Sequence, residues 1–361
     1  MYLAISPEGT HLTAEQAKIL DDEFFRADPL GHFTSRISML LASRSQTVTP
    51  TRAIYPGFFK ALGLDGLDAL PGVGERSRDV QVSVDALALR HQCAEALERL
   101  LFALTAAHEG PDARCLWWAI ADSPTRTLNV LESTKRAFDA DEHILLRLMF
   151  GLDTPITDEA VAASDTALAW INHAGHLLAG DELSINAAHN KLKHGLAVAT
   201  RDDVRFDLVA APPNDKGEVP LSAFGEGKSV PIFDRPMLTY LSRPHGKPKR
   251  GLEVVSLRVD VDTVLAETWM LATVYAALFH VAALEHFEGL APDGLAPYPT
   301  LAIGRTPKQM LASQALGFRS PVTLPPDGVT AARPSGVFFY GAFFEMDIDL
   351  ESRRQAVIVD E

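Results

Sequence analysis

The segment TVLAETWMLATVYAALFHVAALEHF, Thr263 to Phe287, decides what kind of fold this chain can have. It is the longest apolar run in the sequence, and about 20 apolar residues suffice to cross a bilayer. Glu267, His280, Glu285 and His286 interrupt it, however, and ionisable groups at membrane depth are costly. The segment therefore reads as a helix buried in a protein core, with no membrane partner expected. Asp262 stands just before it as the expected N-cap.

Working outward, the sequence supplies helices to surround this one. From Val84 to Ala107, Leu87, Cys93, Ala94, Leu97, Leu100, Leu101 and Leu104 recur at spacings of three and four, the signature of an amphipathic helix. A capping box, Thr13-x-x-Gln16, predicts a helix start at the N-terminal end. Further helices are expected in 33–44, 113–122, 125–138, 139–152 and 158–180, and in a segment beginning near Asp181. After Thr200 the texture becomes β-branched and alternating, broken by glycine and proline. Three or four strands are expected in 204–261, with HGKPK, His245 to Lys249, at a hairpin tip. The predicted fold class is mainly α. A helical bundle over 80–290 carries a small antiparallel β-hairpin insertion at about 204–261. An N-terminal extension, 1–79, is helical or irregular, and an irregular C-terminal extension, 291–361, packs back on the body through one or two strands in GVFFYGAFFEMDIDL.

The composition excludes several function classes. Hydrophobic residues make up 47% and charged residues 22%, so an ordinary core can form without disulfides or metal. Cys93 and Cys115 lie in apolar, helix-like surroundings and read as buried free thiols. No basic region followed by an apolar run opens the N-terminus MYLAISPEGTHL, and the expected location is cytoplasmic. A formal charge of −14 argues against a general nucleic-acid coat. Two local basic sites stand out against it: KLKH at 191–194 and RPHGKPKR at 243–250.

The first belongs to NAAHNKLKHGLAV, Asn186 to Val198, the densest cluster of chemical groups in the chain. Capping physics explains part of it. Lysine and histidine in a last helical turn complement the negative end of the helix dipole, and Gly195 can take a left-handed cap. Ile185, Leu192 and Leu196 would form the buried stripe. The chemical reading is that a histidine near neutral pKa can take the proton from a ribose 2′-hydroxyl without a metal. Asn190, four residues earlier, shares a helical face with His194. His189 falls about 140° away on an ideal helix, so the two histidines meet only in a wide cleft or across a dimer interface.

The run His189-Asn190-Lys191-Leu192-Lys193-His194 resembles the Arg-polar-x-x-x-His signature of the HEPN superfamily, the higher-eukaryote and prokaryote nucleotide-binding proteins. NKLKHG, followed by strands and a long apolar helix, is similar to a bacterial HEPN branch with an Asn-Lys-x-Lys-His-Gly signature. The resemblance implies a HEPN-like helical bundle, commonly dimeric, in which His194 is catalytic and Asn190 positions it. His189 stands where the family has arginine, and histidine is neither permanently charged nor a bidentate phosphate donor. Many members are metal-independent RNA-cleaving toxins or defence effectors, others inactive binding modules. The implied partners are RNA or a nucleotide, a second copy of the chain, and a protein such as an antitoxin. Lys191 and Lys193 would draw phosphate, joined by Arg243, Lys247, Lys249 and Arg250 of the second basic site. No cofactor and no metal are expected.

Other groups read more plainly. His173 and His176, three apart on a helix, could share a metal, but no Glu-x-x-His accompanies them, and Glu182 or Glu95 would have to complete the set. A satisfied or exposed pair is favoured. DADEH at 139–143 reads as helix-capping acid, and PGVGERS at 71–77 as a turn lacking the P-loop lysine. Glu95 and Glu98 are expected to face solvent or to pair with Arg99 and His91. Trp117, Trp118 and Trp269 are expected in the core. Two functions stay open: a metal-independent endoribonuclease, or a non-catalytic binding or scaffold protein of a bacterial defence or regulatory system.

Overall fold

The computed structural model describes residues 5, 7–45, 56–61, 74–151, 155, 157–180, 185–193, 195, 197–201, 206–209, 211–212, 214–216, 218–224, 227–233, 236–243, 251–300, 304–312, 314–324, 335–340, 345–347 and 358–359. Its helices are α1 (Ala14–Phe24), α2 (Pro29–Ser45), α3 (Pro56–Ala61), α4 (Glu75–Thr105), α5 (Leu116–Ala121), α6 (Thr127–Ala140), α7 (Ile144–Phe150), α8 (Asp158–Ala179), α9 (Ile185–Lys193), α10 (Val261–His286) and α11 (Pro307–Leu311). Its strands are β1 (Ala199–Arg201), β2 (Phe206–Val209), β3 (Val219–Pro220), β4 (Ser229–Phe233), β5 (Met237–Ser242), β6 (Leu252–Arg258), β7 (Ala315–Thr323), β8 (Gly336–Phe339), β9 (Glu345–Asp347) and β10 (Ile358–Val359).

The architecture is mainly helical, with a small antiparallel sheet. The decisive segment is α10, and it packs along α4 at the centre of the bundle, with α2, α7 and α8 around them. Val261–His286 is, among the described residues, the one helix long and apolar enough to cross a membrane. Of its most apolar stretch, 72% is buried inside the protein, so its apolar faces are used for packing. Asp260 occupies the N-cap position and Asp262 lies in the first turn, where its carboxylate pairs with Arg44 at 2.6 Å.

Helix α4 shows why its sequence pattern works. Val82, Ala86, Leu89, Cys93, Leu97 and Leu100, all buried, return to one face every three or four residues. This helix begins at Glu75 with Gly74 as N-cap, nine residues before the periodicity becomes strong at Val84, because its first turns have fewer apolar neighbours. In α8, the Thr157 hydroxyl accepts the Ala160 N–H, and Asp158 and Glu159 favour the positive end of the dipole. Trp170 of α8 is fully buried, and its indole N–H donates to the Arg305 carbonyl at 3.2 Å. The expected capping box on α1 forms, Thr13 and Gln16 bonding to each other's backbone N–H.

The main sheet has the order β1-β5-β6-β7-β8-β9, every neighbour antiparallel. Strands β5 and β6 form the expected hairpin, with Met237 opposite Arg258 and Ser242 opposite Glu253. Gly251 closes it at φ +70, and a Cβ there would lie 2.6 Å from the Thr323 carbonyl oxygen, so no larger residue fits. The C-terminal region is more regular than its sequence suggests. Strands β7 and β8 extend the hairpin sheet, because Phe318 and Val337 offer apolar faces at strand period. Leu238, Tyr240, Val255, Leu257 and Phe338 then join the helices in one continuous core. Outside this sheet, β2 pairs with β4 antiparallel and β3 with β10 in parallel.

Two expectations about side chains are corrected here. Trp117 and Trp118 are 38% and 54% exposed, because α5 is a short surface helix; Trp117 stacks on Phe24 instead of entering the core. Glu95 pairs with Arg99 at 2.8 Å as expected, but Glu98 does neither of the things predicted for it. It faces the α4–α8 seam, 2% exposed, and among the described residues it has no hydrogen-bonding or ionic partner. Burial pushes its carboxyl up to about 8.

Candidate functional site

Helix α9 carries the motif NAAHNKLKHG. Its described part runs from Ile185 to Lys193, and residues 181–184, where the start expected near Asp181 falls, lie outside the described part of the chain. So do His194, the residue assigned catalysis by resemblance, and Leu196. Leu192 is buried and Ile185 half-buried, as the stripe required. Gly195 takes φ +150, a conformation open to glycine, and the Ala197 N–H closes the helix end on the Lys191 carbonyl at 3.0 Å.

The polar residues of α9 diverge. Asn190 is exposed and donates from Nδ2 to Asn186 Oδ1 at 3.3 Å. Lys193 is exposed and Lys191 half-buried. His189 turns the other way and stacks on His91 of α4, ring centres 4.0 Å apart and planes 20° from parallel. Burial, with His189, Arg90 and Lys193 nearby, pushes His91 down to about 3, so this imidazole is neutral at physiological pH. Arg243 is exposed, its guanidinium 3.4 Å from the Gly251 carbonyl; Lys247, Lys249 and Arg250 lie outside the described residues. The described part of the motif therefore brings together His189 and His91, and separates Asn190 from both.

A second constellation was not anticipated. Arg90 on α4 and Glu267 on α10 form a buried ion pair, one guanidinium nitrogen reaching both carboxylate oxygens at 3.0 and 2.9 Å. The Glu267 carboxylate also accepts from His173 Nε2 at 2.7 Å. The other ring nitrogen, Nδ1, faces the Tyr340 hydroxyl at 3.2 Å. Burial alone would raise the Glu267 carboxyl, but the Arg90 charge and the His173 hydrogen bond outweigh it and hold it below the ordinary value. A carboxylate can only accept, so Nε2 carries a hydrogen, and in the neutral imidazole Nδ1 presents its lone pair. Burial, aided by the Glu267 charge, pushes the Tyr340 phenol up to about 12, which keeps it a donor. His176, one turn on, is exposed, and among the described residues no group of three or more His, Cys, Asp and Glu side chains is arranged to hold a metal ion.

These groups line a cavity of about 250 Å³ between α4, α8, α10, α11 and the sheet. Leu87, Leu177, Leu257, Leu316 and Phe338 give it mostly apolar walls, while Arg258 and Lys308 add positive charge. The guanidinium of Arg319 lies 4.5 Å from the Phe338 ring centre, supporting that wall from the sheet. Sequence reasoning met Glu267 only as an interruption of an apolar helix. That interruption was the available signal, since a carboxylate in such a run needs a buried partner. Arg90 and Tyr340 carried no local sign of their role. Compared with protein-family models, curated proteins and solved structures, the chain matches none of them.

Proposed function

We propose that the protein binds a small anionic ligand with an apolar body in this cavity. The observation that supports the reading is the composition of the wall: mostly apolar side chains, with His173, His176 and Tyr340 among them, and three cations, Arg90, Arg258 and Lys308, against one carboxylate, Glu267. Small-molecule sites combine mostly apolar walls with a few placed polar groups, and a cavity of about 250 Å³, just below their usual size, suits only a compact ligand. The protein is in this reading a small-molecule binding module, different from the protein- or nucleotide-binding scaffold of a defence or regulatory system that its sequence left open. A panel of short branched carboxylates and phosphate monoesters, each beside its neutral amide or alcohol, tests it by calorimetry. The anions are expected to bind and the neutral analogues to bind about tenfold more weakly, a difference of about 1.4 kcal/mol. Leu177→Trp, which fills the cavity, is expected to abolish binding. Equal binding of anions and neutral analogues, or binding unaffected by Leu177→Trp, defeats the reading.

A second reading keeps the HEPN-like ribonuclease, acting in the cytoplasm as a homodimer with an antitoxin-like partner. What favours it is the seating of α9 against α4, with His189 in an imidazole stack and exposed Asn190 and Lys193 available to a polyanion. Its test is RNA degradation in EDTA. Wild-type protein is expected to cleave, and His194→Ala and Asn190→Ala to lose most of that activity. Intact RNA after prolonged incubation with wild-type protein removes it.

A further inference from the structure

We infer that the cavity is also a proton-transfer site, in which His173 is the acid–base group for a small carboxylate that carries a ketone beside its carboxyl group. The inference rests on the cavity reading above and adds a reaction to it. Its basis is the arrangement of four groups drawn from three helices and a strand end. A histidine that merely fills a core needs partners, not a fixed direction. His173 has one: Glu267 holds Nε2 at 2.7 Å, and Arg90 clamps Glu267 in turn through both oxygens. Trp170 meets the imidazole edge-on, ring centres 5.5 Å apart and planes at 86°, which restricts its rotation. The lone pair on Nδ1 is thereby aimed, and the residue lines the cavity. This is the general pattern of a base oriented by a third group.

Tyr340 supplies the second half. Its hydroxyl lies 3.2 Å from Nδ1, long for an O–H donor, whose usual separation is about 2.7–2.8 Å. Such a contact is easily exchanged for one to a ligand. With a 2-oxo acid in the cavity, the carboxylate is drawn to Arg258 and Lys308, and the ketone oxygen can take the Tyr340 hydrogen bond. The C–H bond beside the ketone then breaks. Its hydrogen passes to Nδ1, and the electron pair moves onto the ketone oxygen as an enolate stabilised by Tyr340. The imidazolium so formed is balanced by the Glu267 carboxylate, already held in its charged form. Returning the proton to the same carbon, or to the oxygen, completes the step with no oxidant or second reactant. The apolar walls favour it, since charges that develop away from water are stabilised more strongly by fixed partners.

The probe is 4-methyl-2-oxopentanoate in deuterated water, followed by the loss of the proton NMR signal of the methylene beside the ketone, with its affinity measured by calorimetry. Wild-type protein is expected to accelerate exchange by about 100-fold or more over the same concentration of free imidazole. His173→Gln is expected to return the rate to background with the dissociation constant within about twofold of wild type. Tyr340→Phe removes a single hydroxyl and should lower the rate about tenfold, more than it weakens binding, so it serves if His173→Gln fails to fold. Glu267 and Arg90 are positioning residues; Glu267→Gln should displace the pH profile of exchange as well as lower it. Binding with exchange at background in wild-type protein overturns the proton-transfer inference and leaves the cavity reading standing. Undiminished exchange in both His173→Gln and Tyr340→Phe overturns it equally. Failure of the probe and of every anion in the panel to bind overturns the cavity reading itself.

Discussion

Replacing Glu267 by alanine is expected to cost about 3–5 kcal/mol of stability, the range for breaking a buried ion pair from one side. Arg90 is 8% exposed and Glu267 2%, so Glu267→Ala strands a guanidinium in the core with no carboxylate to answer it. It also removes the acceptor of His173 Nε2. Taking both charges away is a different matter. The double variant Arg90→Met, Glu267→Leu leaves no orphan charge, and it should recover most of the loss, since apolar replacements of buried pairs are often neutral or better. Urea unfolding checks this through the transition midpoint at unchanged slope. Equal losses in the single and double variants would show that the pair is not the source of the effect.

The same carboxylate gives a pH dependence of known sign. Its folded value lies below the ordinary 4.5, so its contribution is fully present above that pH and is lost as pH falls through the folded value. This part of the stability disappears only in acid.

Glu98 behaves in the opposite sense and carries the second large prediction. Its folded value is raised by burial to about 8, against an ordinary 4.5, so the folded protein keeps the proton where the unfolded chain has released it. The protonated core is therefore most favourable below pH 4.5, and stability declines as pH rises from there to about 8. At about 1.4 kcal/mol per pH unit, the decline is on the order of 5 kcal/mol as an upper bound. Glu98→Gln, neutral at every pH, is expected to remove that slope and to be more stable than wild type at pH 8. Thermal melts of both proteins at pH 5, 7 and 8 provide the check. Parallel curves would mean that water or a structural opening solvates the carboxylate.

These two carboxylates show how the same residue type in two helices takes opposite roles. Glu267 has a cation within reach on a neighbouring helix, and Glu98 lies against Gly175. Neither environment is written in the residues next to them. The helix α4 pattern even places Glu98 between buried Leu97 and solvent-leaning Arg99, where exposure is the simple expectation. Only the packing of α8 across that position buries it. The motif on α9 tells a similar story. Its helix, its apolar stripe through Leu192 and its glycine ending were legible, because they follow from local spacing and backbone freedom. The direction of His189, toward His91, depended on a helix about a hundred residues away.

By itself, the sequence determined what local physics determines. Capping chemistry placed the start of α1, a three-to-four-residue period placed α4, and the long apolar run of α10, interrupted by ionisable groups, marked it as the core of a mainly helical protein. Alternation and turn residues placed the β5–β6 hairpin. Tertiary structure alone decided the site. Arg90 and Glu267 are 177 residues apart, His173 and Glu267 94, and Tyr340 and His173 167. A hydrogen bond between such groups leaves no periodicity to read. It exists because burial in a shared core makes each polar group depend on the few others that the fold brings within about 3 Å.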